Sequence, residues 1–261
     1  MVSAEKIQNN WDRFVKLINE LPKAKTKNLL PNLKKHEDRI KMMPASARDW
    51  HHSAFPGGYI DHTLRVYDCA LEMYKVWNKM GGDMTPYSLD ELKFSVLVHD
   101  LGKIGLDEGE YYQPNDSQWH IDKLGQVYKF NTDIPAMKVA ERSLFLLQSW
   151  GVKVTLNEHL AINLHDGLYD DSNKFYLMSG MKETRLRNHL PILIHQADQM
   201  AAYIEFEQWV SKNPFTNSNS KPKNASKGDK IFRKSKAINI ENNPNLTSKT
   251  LDVIDSFFKK D

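Results

Sequence analysis

The sequence has a single cysteine, Cys69, among its 261 residues. One cysteine excludes an internal disulfide and any zinc site built from several thiolates, so histidines and carboxylates are left as the metal ligands in quantity. No apolar run reaches about 18 residues, and the N-terminus alternates charged and apolar residues instead of resembling a signal peptide. We therefore expect a soluble, cytoplasmic protein with no membrane partner.

A strong charge of one sign is also lacking over most of the chain. The net charge is +3, but residues 211–261 carry 11 Lys and Arg against 5 Asp and Glu, a balance of +6, which leaves −3 for residues 1–210. This last segment is rich in Asn, Ser and Lys and has little apolar surface to bury, which predicts a flexible tail. A basic tail could attract single-stranded nucleic acid, although a solvated charge run is the commoner explanation.

Apolar residues, in contrast, are plentiful and recur at helical spacing. They make up 40% of the chain, and no segment has the alternation of a strand, so we predict an all-α protein. Ser3 can cap a first helix, and two pairs have capping-box spacing at later helix starts, Ser88 with Glu91 and Thr155 with Glu158. Locally, a weaker helix is expected over about 33–43, and a loop or lid over 106–135.

These patterns divide the chain into three parts. Residues 1–43 are predicted to form N-terminal helices that pack on the core, and residues 44–210 form the main helical domain. Residues 211–261 form the tail, whose closing piece, residues 251–258, could be a short amphipathic helix that docks on this chain or on a second copy, which leaves a homo-oligomer open.

The most informative stretch is Val96-Leu97-Val98-His99-Asp100-Leu101-Gly102-Lys103. It places a histidine and an aspartate side by side where an apolar helix is expected to end at a glycine. Burying a carboxylate costs several kcal/mol or more unless it is paired or coordinates a cation. A bound metal would remove that cost.

Two further residues have the chemistry to complete such a site. His62 shares a predicted helix face with Val66 and other core residues, and Asp198 lies in a late helix beside Ala197 and Ala201. A single histidine on an apolar face is more often a satisfied core residue than a ligand. Together with His99 and Asp100, however, these residues supply two imidazoles and two carboxylates, which suit Mn²⁺, Fe²⁺, Zn²⁺, Ni²⁺ or Co²⁺.

The motifs Gly-Gly-Tyr-Ile-Asp-His62-Thr-Leu-Arg65 and Leu-Val-His99-Asp100-Leu-Gly-Lys103, followed by Gln-Ala-Asp198, resemble the HD-domain metal-dependent phosphohydrolase superfamily over roughly residues 44–207. The resemblance implies an HD-domain helical bundle with His62, His99, Asp100 and Asp198 as metal ligands. In motif style it is closest to the branch with 3′→5′ exoribonuclease-like proteins. Because Asp166 stands where many two-metal members carry a second histidine, we expect one metal, which could also be Mg²⁺, and a second only if further histidines complete a site. The candidates for a second metal or for the substrate phosphate are His51, His52, Arg65, His120 and His165.

The resemblance also implies roles in catalysis. A hydroxide bound to the metal would attack the phosphorus, while Lys103 and Arg65 stabilise the negative charge that develops. His165 or Asp166, a second His-Asp pair before a glycine, could act as the general acid or orient a ligand. By itself, Lys103 would be read as a lysine that complements a helix dipole.

The function expected is hydrolysis of a phosphoester of a nucleotide or short oligonucleotide. A small nucleotide ranks first as the substrate, because residues 1–210 carry a net charge of −3 and the N-terminal nucleic-acid-binding domain that accompanies the exoribonucleases is not recognised. A 3′→5′ exonuclease on single-stranded nucleic acid ranks second and a cyclic-dinucleotide phosphodiesterase third. The alternative from another class is a non-catalytic nucleotide-binding regulatory module.

Overall fold

Ten α-helices account for most of residues 3–51 and 53–213, the part of the chain that the computed structural model describes. Contacts divide the chain into residues 1–216 and residues 217–261, and all described residues lie in the first unit. The helices are α1 (Ala4–Asn19), α2 (Lys23–Lys35), α3 (Glu37–Met42), α4 (Gly58–Lys79), α5 (Leu89–Val98), α6 (Gln118–Leu124), α7 (Val139–Ser149), α8 (Leu156–Asn163), α9 (Lys174–Leu177) and α10 (Leu190–Lys212).

The prediction of a mostly helical chain is confirmed over the described residues. The helix starts follow from local side-chain chemistry, because Ser3 accepts a hydrogen bond from the backbone of α1, and capping boxes formed by Ser88 with Glu91 and Thr155 with Glu158 begin α5 and α8. The predicted tail lies outside the described residues from 214 on. None of the described helices is both long and apolar enough to cross a membrane.

Helices α4 and α10 form the centre of the fold. They pack against each other along their length, α5 packs on α4 and α8, and α7 packs on α8 and on a 3₁₀ turn at Leu101–Ile104. Helices α1, α2 and α3 pack together beside α4. The core therefore lies among α4, α5, α8 and α10, and it continues to α1 through fully buried Phe14 and Ile18.

Two local expectations were wrong. Instead of one helix over about 33–43, α2 begins at Lys23 and continues through Pro31 to Lys35, and α3 follows. Proline inside a helix removes a backbone hydrogen bond. Here burial of Leu29 and Leu33 in the core outweighs that loss, which local propensity does not reveal.

The segment 106–135 is not a plain loop, because it holds α6 between two short antiparallel strands, β1 (Tyr112–Pro114) and β2 (Tyr128–Phe130). Tyr112 pairs with Phe130 across the strands, and their ring centroids are 5.6 Å apart. Three-residue strands are too short for a visible alternation in sequence, so their pairing depends on a tertiary contact between aromatic rings.

Candidate metal centre

His62 lies in α4 and is fully buried between two carboxylates of α10. Its Nε2 atom is 2.9 Å from Asp198 Oδ1, and its Nδ1 atom is 3.2 Å from both carboxylate oxygens of Glu205. Ionised carboxylates only accept hydrogen bonds, so both ring nitrogens donate in this arrangement. The ring therefore links the two acidic residues of α10.

His99 and Asp100 directly follow α5, as predicted from the apolar run and the glycine. His99 Nδ1 donates a 2.7 Å hydrogen bond to the carbonyl of Val96, which leaves Nε2 to face the cluster. Among the described residues, Nε2 has no hydrogen-bond partner although the side chain is fully buried, and it lies 3.4 Å from Asp100 Oδ2. A buried polar atom without a partner is rare, and a metal ion would satisfy it.

His165 repeats the local geometry of His99 at the end of α8. Its Nδ1 atom donates a 2.7 Å hydrogen bond to the carbonyl of Ile162, and its Nε2 atom lies 3.5 Å from Asp100 Oδ1. The centroids of the two imidazole rings are 4.8 Å apart. The carboxylate of Asp100 is thus placed between the inward-facing nitrogens of His99 and His165.

Two groups of potential ligands can be drawn among the described residues: His62, His99 and Asp198, and His99, Asp100 and His165. Within each group, the ligand atoms lie within 4.8 Å of one another, and the two groups share His99. Imidazole nitrogens with carboxylate oxygens suit divalent transition metals. These buried groups could hold a metal ion.

Charges within the cluster favour protonated His62 and ionised Asp198, although burial by itself would favour the neutral form of each side chain. Burial lowers the pKa of His62, but the charge of Glu205 and hydrogen bonds to Asp198 and Glu205 outweigh it and raise the pKa to about 10. Burial raises the pKa of Asp198, but its bond to His62 and the nearby imidazoles lower that pKa below its ordinary value. A divalent cation could therefore replace the Nε2 proton of His62 and neutralise the carboxylate of Asp198 in its place.

Lys103 supplies the second positive charge. Its Nζ atom donates a 2.6 Å hydrogen bond to Asp100 Oδ2, and the lysine is 8% exposed. Burial raises the pKa of Asp100, but the charges of Lys103 and His99 hold it well below its usual range. Burial lowers the pKa of His165, but Asp166 and Asp100 raise it to about 9.

Helix α7 supports the backbone on which His99 and Asp100 stand. Ser143 Oγ donates to the carbonyl of His99 at 2.9 Å and accepts from the backbone N–H of Gly102 at 2.7 Å. Buried Arg142 donates to the carbonyl of Gly102 at 3.2 Å, and its guanidinium lies over the ring of Tyr111. The turn after Asp100 is thereby fixed to α7 by side-chain bonds.

A cleft of about 400 Å³ opens onto the cluster. Asp100, Lys103, His165 and Asp198 lie at its base. Its remaining lining residues are Lys138, Val139, Asp166, Tyr169, Asp170 and Asp171. Lys138 Nζ is 2.8 Å from Asp170 Oδ2, so the outer wall carries more negative than positive charge.

The other candidate residues lie in different places. Asp166 is half-exposed in the cleft, and Arg65 points to Glu205, with its Nε 3.2 Å from Oε1. His120 is exposed on α6 and contacts Ser117, and exposed His51 packs against Trp50; neither belongs to the two ligand groups. His52 lies outside the described residues.

Sequence reasoning did not identify Glu205, Ser143 or Arg142 as part of the site. A signal existed for Glu205 alone, because it shares the helix stripe of Asp198 at a spacing of seven residues and is acidic among small and apolar neighbours. Ser143 and Arg142 carry no local signal, since both act on the backbone of residues about 40 positions away.

No protein-family model, no curated protein and no solved structure matches this chain. The residues of the cluster and their geometry are therefore the basis for inferring what this chain does.

Proposed function

We propose that this chain is a metal-dependent phosphohydrolase of the HD-domain type that hydrolyses a phosphoester of a nucleotide or short oligonucleotide. The observation that carries the proposal is buried His99 Nε2, which has no hydrogen-bond partner among the described residues and faces a cluster of His62, Asp100, His165 and Asp198. The order His62, His99-Asp100, Asp198 along the chain is that of the HD motif.

In this proposal His62, His99, Asp100 and Asp198 hold a divalent cation, for which Mn²⁺, Fe²⁺, Co²⁺, Ni²⁺ and Zn²⁺ all suit the donor set and Mg²⁺ is a further candidate. When bound, such a cation supplies Lewis acidity and lowers the pKa of water towards neutrality. The chain's own residues then orient the substrate, stabilise its negative charge and transfer protons.

Lys103 would bind the phosphoryl group from the base of the cleft. Its ammonium already lies 2.6 Å from Asp100 Oδ2 and is held protonated, so a phosphate oxygen at the cluster would find a fixed positive charge. His165 Nδ1 donates to the carbonyl of Ile162, so Nε2 is the nitrogen that faces Asp100, and from there His165 could pass a proton to the leaving oxygen. Half-exposed Asp166 is the alternative general acid.

The cleft favours a small substrate. A volume of about 400 Å³ is near the lower end for pockets that enclose small ligands. The outer wall carries Asp166, Asp170 and Asp171 against Lys138, which opposes further phosphates of a polynucleotide. The balance of +6 in residues 211–261 favours the second candidate, a 3′→5′ exonuclease on single strands.

One assay series tests these candidates. The full-length protein with Mn²⁺ is given nucleoside mono- and triphosphates, cyclic dinucleotides and labelled single strands. We expect metal-dependent release of phosphate from a mononucleotide, abolished by Asp100→Asn and unchanged by Asp122→Asn on the exposed face of α6. No turnover of any substrate with Mn²⁺ bound would refute the hydrolase and favour the regulatory module.

The tail is tested in the same protein. Replacing Lys221, Lys223 and Lys227 by Gln removes three positive charges without shortening the chain. If single strands are substrates, their binding should become less salt-dependent, because fewer counterions are released. An unchanged salt dependence would exclude these lysines from nucleic-acid binding.

A further inference from the structure

Glu205 of α10 is a buried carboxylate that three other side chains approach. It is 6% exposed and accepts hydrogen bonds from Ser53 Oγ at 2.9 Å, from Arg65 Nε at 3.2 Å and from His62 Nδ1 at 3.2 Å. A buried carboxylate is tolerated when its oxygens are satisfied in this way. The residue is not a member of either group of potential metal ligands.

The contact with His62 decides which nitrogen of that ring faces the cluster. Glu205 lies at Nδ1, whereas Asp198 and Asp100 lie at Nε2, at 2.9 Å and 4.0 Å. A carboxylate only accepts, so Nδ1 keeps its hydrogen, and the Nε2 lone pair becomes available once the second proton leaves. Glu205 therefore acts from the edge of the ring opposite to the cluster.

The loop before α4 contacts the same carboxylate through Ser53. Ser53, whose hydroxyl donates to Glu205, has a φ of 46° and is the only non-glycine residue with positive φ among those described. A Cβ atom at Gly58 would lie 1.9 Å from the carbonyl oxygen of Ser53, so the first turn of α4 packs directly on this strained residue. Such strain persists when surrounding contacts hold it.

The side chain of Arg65 contacts Glu205, whereas the sequence predicted that it would stabilise negative charge on the substrate. It lies one turn after His62, and its guanidinium contacts Glu205 and, at 3.5 Å, Gln208 Oε1, not the cleft. One positive charge beside the carboxylate offsets part of its negative charge. Glu205 and its donors from α4 and the preceding loop thus form one support behind His62.

We propose that Glu205 is a positioning residue: it holds the imidazole of His62 in the Nδ1–H tautomer and in the orientation that presents Nε2 to a divalent cation. This inference rests on the metal site of the proposed function and adds the group that prepares its first histidine. Carboxylates that accept from metal-bound histidines commonly change metal affinity by about 10- to 100-fold when they are replaced.

The test compares Glu205→Gln with Glu207→Gln, an exposed residue two positions along the same helix that serves as the matched control. Mn²⁺ binding is measured by electron paramagnetic resonance, with circular dichroism as a check of folding. We expect Glu205→Gln to bind Mn²⁺ about 10- to 100-fold more weakly, Glu205→Asp to recover part of the loss, and Glu207→Gln to match the wild type. A folded Glu205→Gln protein with wild-type affinity would overturn the inference.

A second measurement needs no variant that could fail to fold. In the wild-type protein loaded with Zn²⁺, ¹H–¹⁵N correlation of the histidine rings should show His62 with a hydrogen on Nδ1 and the metal on Nε2. The opposite tautomer would overturn the inference. If the wild type binds neither Mn²⁺ nor Zn²⁺, the proposed function itself fails, whereas normal turnover by Glu205→Gln would remove only the role of Glu205.

Discussion

Gly102, in the turn between Asp100 and Lys103, packs so closely on α7 that a single methyl group should disturb it. A Cβ atom there would lie 2.2 Å from the carbonyl oxygen of Val139 and 2.9 Å from Ser143 N and Arg142 Cβ. These neighbours are backbone or backbone-adjacent atoms, so no flexible side chain can move aside. We expect Gly102→Ala to force the turn and α7 apart.

The expected loss of stability follows from two effects. Overpacking of a filled site costs about 1–3 kcal/mol. Separation also weakens the bonds of Gly102 to Ser143 and Arg142, each of which contributes about 1 kcal/mol. If both bonds are lost, the sum is about 3–5 kcal/mol, which corresponds to a fall in Tm of at least about 6 °C for a domain of this size.

Thermal unfolding followed by circular dichroism in the presence of a chelator measures this loss without any contribution from metal. Gly180→Ala is the matched control, because a Cβ atom at Gly180 meets nothing within 4 Å. We expect that variant to unfold close to the wild type. If both variants unfold within about 1 °C of each other, the turn is not held against α7 as described.

Three further predictions concern other contacts. Lys103→Met removes the partner of buried Asp100 and should lower the free energy of unfolding by about 3–5 kcal/mol in chemical denaturation; a loss below 1 kcal/mol would contradict the buried pair. Burial and nearby Arg39 lower the pKa of His36 from 6.5, so its contribution to stability is present above pH 6.5 and is lost as the pH falls through the lower folded-state pKa. His36→Phe should therefore lose less stability than the wild type between pH 7 and pH 5 in urea titrations, and equal losses would refute the assignment. Thr155→Ala breaks the capping box of α8 and should cost about 1 kcal/mol in the same assay, whereas an unchanged midpoint would show that the cap contributes nothing.

Elements governed by neighbouring residues were predictable from the sequence. The starts of α5 and α8 follow from a capping residue and a glutamate three positions later, and the end of α5 follows from its apolar run meeting Gly102. The strand pair β1–β2 and the continuation of α2 through Pro31 were not predictable, because contacts with distant residues outweigh local propensity there.

The candidate site, too, was predictable from the sequence only in part. Residue types and helix ends singled out His62, His99, Asp100 and Asp198, and the structure brings potential ligand atoms of these residues into two overlapping groups. It also places His165 in one group but leaves His120 on the surface, although both are histidines that follow apolar or aromatic residues.

By itself, the sequence determined a largely helical chain and a ligand chemistry of imidazoles and carboxylates, because periodicity, caps and residue types act over a few positions. Only the tertiary structure decided what supports those ligands. His62 meets Glu205 across 143 positions of the chain, and Ser143 reaches the carbonyl of His99 across 44. Contacts over such separations depend on how α4, α7 and α10 pack, and no pattern within a single helix specifies them.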